Sequence, residues 1–320
     1  MLNALALTAL ENPTLHHKPR ARRVLQIFLS GAASQCDTFD YKPQLIQRRG
    51  EKFDPGGKIE LFQSAPGVVM PSPWEWRRHG KSGRWVSGLL PNLAECVDDM
   101  AFLYAMVAKS NVHGPATFLQ NTGFVLPGFP SMGAWLSYGL GSLNDNLPTF
   151  VVLPDTRGVP PNGPANWGAG FLPAAHQGTV VKPGAKTPIY DLFPPERPYL
   201  TPQSEREGQA LLERLNRSYQ GSRPGDSRLE ARLQSYALAA KLQLSAPEAL
   251  DIGKETPATR ALYGIDDALT SDLGRRCLTE IAMKKWRDCA SPTSWSFCWT
   301  ASVAACSRSV LRVVVRGTRK

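Results

Sequence analysis

The sequence lacks several features that would place the protein in a well-defined class. No apolar run approaches the roughly 20 residues of a membrane-spanning helix. There is no internal repeat and no phosphate-binding glycine motif, since residues 158–163 (GVPPNG) have neither the lysine nor the spacing. None of the six cysteines forms the tight CxxC pairs of a zinc site. We therefore predict no membrane span. The sequence gives little support for a protein with a phosphate-binding loop or for a zinc-finger protein.

The basic excess of the chain is concentrated near its end. The 320 residues carry a formal charge of +10. Residues 278–320 hold eight Lys and Arg against two acidic residues, so they contribute +6. The +4 that remains for residues 1–277 is too small to indicate a nucleic-acid-binding protein. We predict no nucleic-acid partner.

Composition divides the chain into three segments. Residues 1–23 are predicted to be an exposed N-terminal arm or a leader remnant, and residues 24–277 an α/β domain. Residues 278–320 form an atypical tail with basic, Cys and Trp residues and no apolar period, which is typical of a reading-frame change. Its one strand-like run is Val310–Val315. We expect this tail to pack poorly and deletion of residues 279–320 to be tolerated.

Apolar runs predict an α/β protein. A helix over 89–97 between two of the predicted strands makes a βαβ unit, and hence a parallel sheet. The fold class is therefore α/β, with a largely parallel sheet between helical layers. The predicted strands are Val24–Leu29, Met100–Val107 and Pro148–Pro154, and further helices are predicted over Ala116–Asn121, Ser131–Leu140, Glu205–Arg217 and Leu229–Leu244.

Two aspartates follow the first predicted strand. In open α/β sheets ligands bind beyond the carboxyl ends of the strands, and carboxylate oxygens suit hard divalent cations. Asp37 and Asp40 are therefore predicted to bind a divalent metal, with Zn, Ca, Mg and Mn as candidates. The alternative is that Asp37 serves the turn and Asp40 is solvated.

A histidine precedes the helix that Thr122–Gly123 is predicted to end. Free N–H groups at that helix start favour an anion. His113 is a candidate metal ligand or general base there, and a plain loop histidine is the alternative. Thr117 is a candidate nucleophile, although a helical threonine commonly bonds to its own backbone.

Seven stretches between Lys18 and Cys277 carry a likeness to a known family. They are SGAASQCDTFDYKP (30–43), NVHGPATFLQNTGF (111–124), PGFPSMGAWLSYGLGS (127–142), LPTFVVLPD (147–155), GFLPAAHQGT (170–179), PGDSRLEARLQSYALAAKLQLSAPE (224–248) and LYGID (262–266). They resemble an uncharacterised family of bacterial sulfatase-like proteins with the alkaline-phosphatase-superfamily fold. The resemblance implies a metal-dependent hydrolase of a small anionic ester, either a phosphate or a sulfate.

Laid over the sulfatase nucleophile motif, His113 stands in the place of the nucleophile and Thr117 in that of the arginine. The resemblance also implies late metal-binding segments of the types WDxHG, GEFGR and DH, and none occurs in the sequence. We therefore expect a domain that is incomplete at its C-terminus and an inactive chain. The alternative function is a non-catalytic binding or surface-associated protein with the same fold. The chain as written predicts a cytoplasmic protein, whereas the resemblance implies export to the periplasm or cell surface if an upstream leader exists.

Overall fold

The computed structural model describes residues 23–30, 33–54, 56–57, 67–104, 106–110, 112–141, 148–183, 185, 188–189, 201–223, 229, 233, 250–290 and 296–303. Helices and strands are mixed along the chain, so the predicted α/β class is confirmed. The chain divides into two compact units. The first unit is Met1–Ser30 with Ala108–Val303, and the second is Gly31–Val107 with Ala304–Lys320.

The elements are numbered in chain order. The strands are β1 (Arg23–Ser30), β2 (Trp76–His79), β3 (Arg84–Ser87), β4 (Phe150–Leu153), β5 (Thr179–Val180) and β6 (Ser296–Val303). The described helices are α1 (Gln35–Thr38), α2 (Pro43–Gln47), α3 (Pro91–Glu95), α4 (His113–Thr122), α5 (Met132–Leu140), α6 (Pro202–Gly221), α7 (Pro257–Leu262) and α8 (Ser271–Ala290). Short 3-10 turns cover Val97–Asp99, Gly163–Trp167, Ala174–His176 and Ile252–Lys254.

A four-stranded sheet organises the first unit. Its strand order is β1-β6-β4-β5, and each neighbouring pair is parallel. β6 pairs along its whole length with β1, from Arg23 opposite Ser296 to Ser30 opposite Val303. On its other side, β6 pairs with β4. The predicted parallel sheet is confirmed for these strands.

Local sequence explains the helices that follow β1 in the first unit. α4 ends where Gly123 adopts a left-handed conformation with φ of 86°, which glycine adopts without a Cβ penalty. α5 begins after Ser131, whose hydroxyl accepts a hydrogen bond from the Ala134 N–H. α5 buries Gly133, Ala134 and Ser137, which lie on one face at helical spacing. Both predicted helices are confirmed.

The core of the first unit centres on Phe150, Val152 and Trp167. β4 is buried at all four positions, which explains its unbroken apolar sequence. Gly133 of α5 allows the helix to approach the ring of Phe150, because a Cβ at this position would overlap the ring. Partly buried side chains complete the cluster: Phe28, Met132, Leu136 and Val180.

The second unit is built around an antiparallel hairpin of β2 and β3. Its core contains Phe39, Val86, Ala94 and Val97, with Leu90, Met100 and Phe102 partly buried against them. The carboxylate of Asp98 accepts hydrogen bonds from the backbone N–H groups of the hairpin turn, Lys81 at 2.6 Å and Ser82 at 3.0 Å. This anchors the turn to the 3-10 segment beside α3.

Two predictions about elements are wrong. The run Met100–Val107 forms no strand at its described positions, so the βαβ unit built on it does not exist. Its apolar side chains do not share one environment, because Met100 and Phe102 pack on the core while Leu103 and Val107 are exposed. The tail also contributes a strand, β6, at Ser296–Val303 and in the middle of the sheet. Val310–Val315, residues 1–22 and most of Leu229–Leu244 lie outside the described residues.

Candidate functional site

The start of α4 is an exposed and uncapped helix N-terminus. Its N-cap is Val112, which makes no side-chain cap hydrogen bond. His113 is exposed and Gly114 is half-buried. The Asn162 side chain donates from Nδ2 to the Gly114 carbonyl at 2.8 Å. The first backbone N–H groups of α4 therefore lie at the surface of the first unit, where the helix dipole favours an anion.

Thr117 lies inside α4 and is buried, with 3% of its surface exposed. Its hydroxyl donates to the His113 carbonyl at 2.6 Å. The hydroxyl of Thr122 makes the same kind of bond to the Phe118 carbonyl, at 2.8 Å. This geometry corresponds to the backbone-bonding alternative and presents no free nucleophile at the helix start.

Asp37 and Asp40 belong to the second unit. Asp37 lies in the first turn of α1, where a carboxylate interacts favourably with the helix dipole. Asp40 forms an ion pair with Lys42 at 2.8 Å. Burial, followed by the charge of Asp40, raises the pKa of the neighbouring Cys36 thiol. A thiol with a raised pKa stays protonated at neutral pH, so Cys36 is a poor third ligand.

The described part of the chain holds no group of three or more His, Cys, Asp or Glu side chains that could bind a metal ion. The metal roles of Asp37, Asp40 and His113 therefore stay predictions from the sequence.

A buried ion cluster lies where β4 ends, and the sequence predictions missed it. The Asp155 side chain is fully buried, and Arg276 of α8 approaches it at 3.6 Å. Arg276 also pairs with Asp272 at 2.6 Å. Arg157 forms a two-pronged contact with Asp155, at 3.0 Å and 2.7 Å, which raises the Arg157 pKa. The one feature of the sequence that pointed to this cluster is that Asp155 directly follows the predicted strand Pro148–Pro154.

A serine of α5 lies within hydrogen-bond distance of a histidine from a later 3-10 turn. Ser137 Oγ lies 3.0 Å from Nδ1 of His176, which belongs to the 3-10 turn Ala174–His176. Ser137 is buried and His176 half-buried. The two are 39 residues apart in the chain, and no sequence motif links them.

Beside this pair runs a set of contacting aromatic rings that we call the aromatic row. Successive ring centroids lie 3.7–6.4 Å apart, in stacked and edge-on arrangements. Most of these rings are substantially exposed, with Phe171 at 66% and Trp135 at 45%. The row consists of Phe124, Phe129, Phe171, Trp135 and Tyr138.

Parallel strands, with helices and long loops in the same unit, define an α/β protein. A family model described as "Protein of unknown function (DUF1501)" matches residues 21–285. The chain therefore belongs to the DUF1501 family. No curated protein matches the chain, and no solved structure matches it.

The match corrects the family expected from the sequence. The resemblance to sulfatase-like proteins is wrong, because DUF1501 is a distinct family and nothing in the comparisons indicates sulfatases. The expectations of an incomplete sulfatase-like domain and an inactive chain relied on motifs of that other family, so they lose their basis. Within the part of the chain that the structure covers, no helix is both long and apolar enough to cross a membrane.

Proposed function

We propose that the protein is an ester hydrolase for a small anionic ester, and that the start of α4 binds the anionic group. The observation that carries this proposal is the uncapped first turn of α4 with the exposed His113 beside it. Backbone N–H groups at a helix start bind phosphate-like anions without requiring a positively charged side chain. The anion would occupy the position that a capping side chain takes in other helices.

In this proposal His113 acts on the water that attacks the ester. Histidine is the side chain that most often serves as a general base, and the exposed ring of His113 is open to solvent water. Thr117 takes no step, because its hydroxyl donates to the His113 carbonyl of its own helix. This proposal assigns no step to a metal. Asp37 and Asp40 remain predictions for a metal that only a binding measurement can test.

The experiment is a hydrolysis assay with aryl phosphate and aryl sulfate. Purified protein is assayed in chelator and then with Zn²⁺, Ca²⁺, Mg²⁺ or Mn²⁺ added separately. We expect His113→Ala to lower kcat/KM about 100-fold or more, as loss of a general base does. His79→Ala, which alters a half-buried histidine of β2, is the matched control and should leave kcat/KM unchanged. Absence of turnover under every condition, or equal effects of the two variants, would refute the hydrolase.

The second candidate is a non-catalytic binding protein, and the aromatic row favours it. Exposed aromatic side chains in contact with one another commonly mark an interaction surface. This candidate predicts ligand binding that survives chelation, with no turnover of any ester. Replacing Phe171 by Ser would weaken that binding, because Phe171 is the most exposed ring of the row. Turnover that requires His113 would exclude this candidate.

A further inference from the structure

Ser137 differs from the other hydroxyl-bearing residues inside helices α4 and α5 that we have described. Thr117 and Thr122 bond to backbone carbonyls four residues earlier in their own helix. The hydroxyl of Ser137 instead contacts Nδ1 of His176 at 3.0 Å, outside its helix. The Ser137 hydroxyl thus departs from the backbone-bonding pattern that the two threonines follow.

The imidazole of His176 is in the neutral form that a general base requires. Burial lowers the His176 pKa below its ordinary value of 6.5, so the ring is neutral at neutral pH. A neutral imidazole has one acceptor nitrogen. With Nδ1 as that acceptor, the Ser137 hydroxyl donates to it, which is the arrangement of a nucleophile and its general base.

The aromatic row provides a surface for the apolar part of a substrate. The Tyr138 ring stands edge-on to the His176 ring with centroids 5.3 Å apart. Trp135 follows it at 6.3 Å, and Phe171 lies 5.7 Å beyond Trp135. An aromatic or alkyl group would bury apolar area on these exposed rings while its ester reached the serine.

We propose that Ser137 is a nucleophile and His176 its general base in the hydrolysis of a carboxylic ester that carries an aromatic or alkyl group. This goes beyond the proposed function, because the residues and the substrate class both differ from those at the start of α4. The hydroxyl oxygen of Ser137 attacks the carbonyl carbon, and its proton passes to His176 Nδ1. The bond from the carbonyl carbon to the leaving oxygen then breaks, and the leaving group departs with the electron pair.

The cycle is completed by water. His176 first releases its proton to solvent, where it neutralises the departed leaving group. A water molecule then attacks the acyl carbon of the Ser137 ester while His176 takes one of its protons, and His176 returns that proton to Oγ as the carboxylic acid is released. The pair supplies a nucleophile and a base. Activated esters such as p-nitrophenyl acetate are therefore the expected substrates, because their leaving group departs without protonation. They also bring an aromatic ring that the aromatic row can contact.

The test uses the whole chain and a fluorophosphonate probe. Attack by Ser137 on phosphorus expels fluoride and leaves a stable phosphonyl ester, which peptide mass spectrometry locates. We expect one label per chain, on Ser137. The labelling rate should rise with pH with a midpoint below pH 6.5, because the neutral fraction of His176 rises through a lowered pKa. The same chain unfolded in urea gives the rate of an unassisted serine.

Variants separate this role from a purely structural contact. His176→Gln should reduce the labelling rate about 100-fold or more. Ser87→Ala, which alters another buried serine, is the matched control and should keep the label. Labelling at another residue, or a native rate equal to that in urea, would overturn the proposal even if Ser137→Ala failed to fold. Neither outcome affects the α4 proposal, which is assayed with phosphate and sulfate esters.

Discussion

Replacement of Gly274 by alanine tests how closely α8 packs. In an exposed helix this change stabilises the protein by roughly 0.8–1.0 kcal/mol, because alanine is the better helix former. Gly274 is buried, and an added Cβ would overlap the carbonyl oxygen of Tyr263. The Tyr263 carbonyl carbon would lie at 3.1 Å and Ile265 Cγ2 at 3.2 Å. A backbone carbonyl cannot rotate away as a flexible side chain can, so the helix itself must shift.

The expected magnitude follows from two opposing contributions. Overpacking costs about 1–3 kcal/mol, and overlap with backbone belongs at the upper end of that range. After subtraction of the gain in helix propensity, a net loss of about 2 kcal/mol remains. For a chain of this size each kcal/mol lowers Tm by about 2–4 °C, so Tm should fall by about 4–8 °C. The sign is therefore opposite to the one that helix propensity predicts.

Gly208→Ala is the matched control, because it changes an exposed glycine of α6 with no atom within 4 Å of the added Cβ. We expect it to gain about 0.5–1 kcal/mol. Urea unfolding of both variants, followed by circular dichroism, measures the two free energies. A gain in stability for Gly274→Ala as large as that for Gly208→Ala would refute the close approach of α8 to Tyr263.

Three further changes have definite expected results. Arg276→Met removes a buried cation from beside Asp155 and should cost about 3–5 kcal/mol by urea unfolding, whereas Arg157→Met, at an exposed side chain, should cost less. Because burial lowers the His176 pKa, the unfolded chain takes up this proton first, so stability should fall as pH drops through 6.5; His176→Gln should flatten that slope in melts recorded from pH 8 to 5. Deletion of residues 291–320 removes β6, and we expect loss of the cooperative thermal transition; a truncated chain that melts like the full one would contradict the sheet order.

Local sequence patterns predicted those helices and strands that depend mainly on neighbouring residues. An apolar run indicated β4, and the helix predicted over Ser131–Leu140 corresponds to α5, because each depends on neighbouring residues. Met100–Val107 has the apolar content of a strand. In the structure, side-chain contacts rather than strand pairing fix the position of its described residues. Arg84 stacks over the ring of Phe102 at 4.5 Å, and the Tyr104 hydroxyl donates to the Phe39 carbonyl at 3.4 Å. The composition of a segment does not distinguish a paired strand from a segment that side-chain contacts hold in place.

The parts that sequence reasoning missed depend on distant residues. Nothing in the local sequence of Ser296–Val303, which interleaves Ser and Thr with apolar residues, indicates a strand between two others. Asp155 and Arg276 meet because α8 returns to the end of β4, far along the chain. The contact of Ser137 with His176 likewise needs the turn Ala174–His176 to lie against α5. The roles predicted for Asp37, Asp40 and His113 stay predictions.

The position of β6 determines when the first unit can form during synthesis. β1 ends at Ser30, yet its partner strand begins only at Ser296. At about 5–20 residues per second, the ribosome needs roughly 14–55 s to go from the end of β1 to the end of β6. Throughout that interval neither β1 nor β4 has its shared neighbour, so both present unpaired strand edges to other chains. Expression should therefore be sensitive to translation speed and to chaperone supply in a way that a hairpin-built sheet is not.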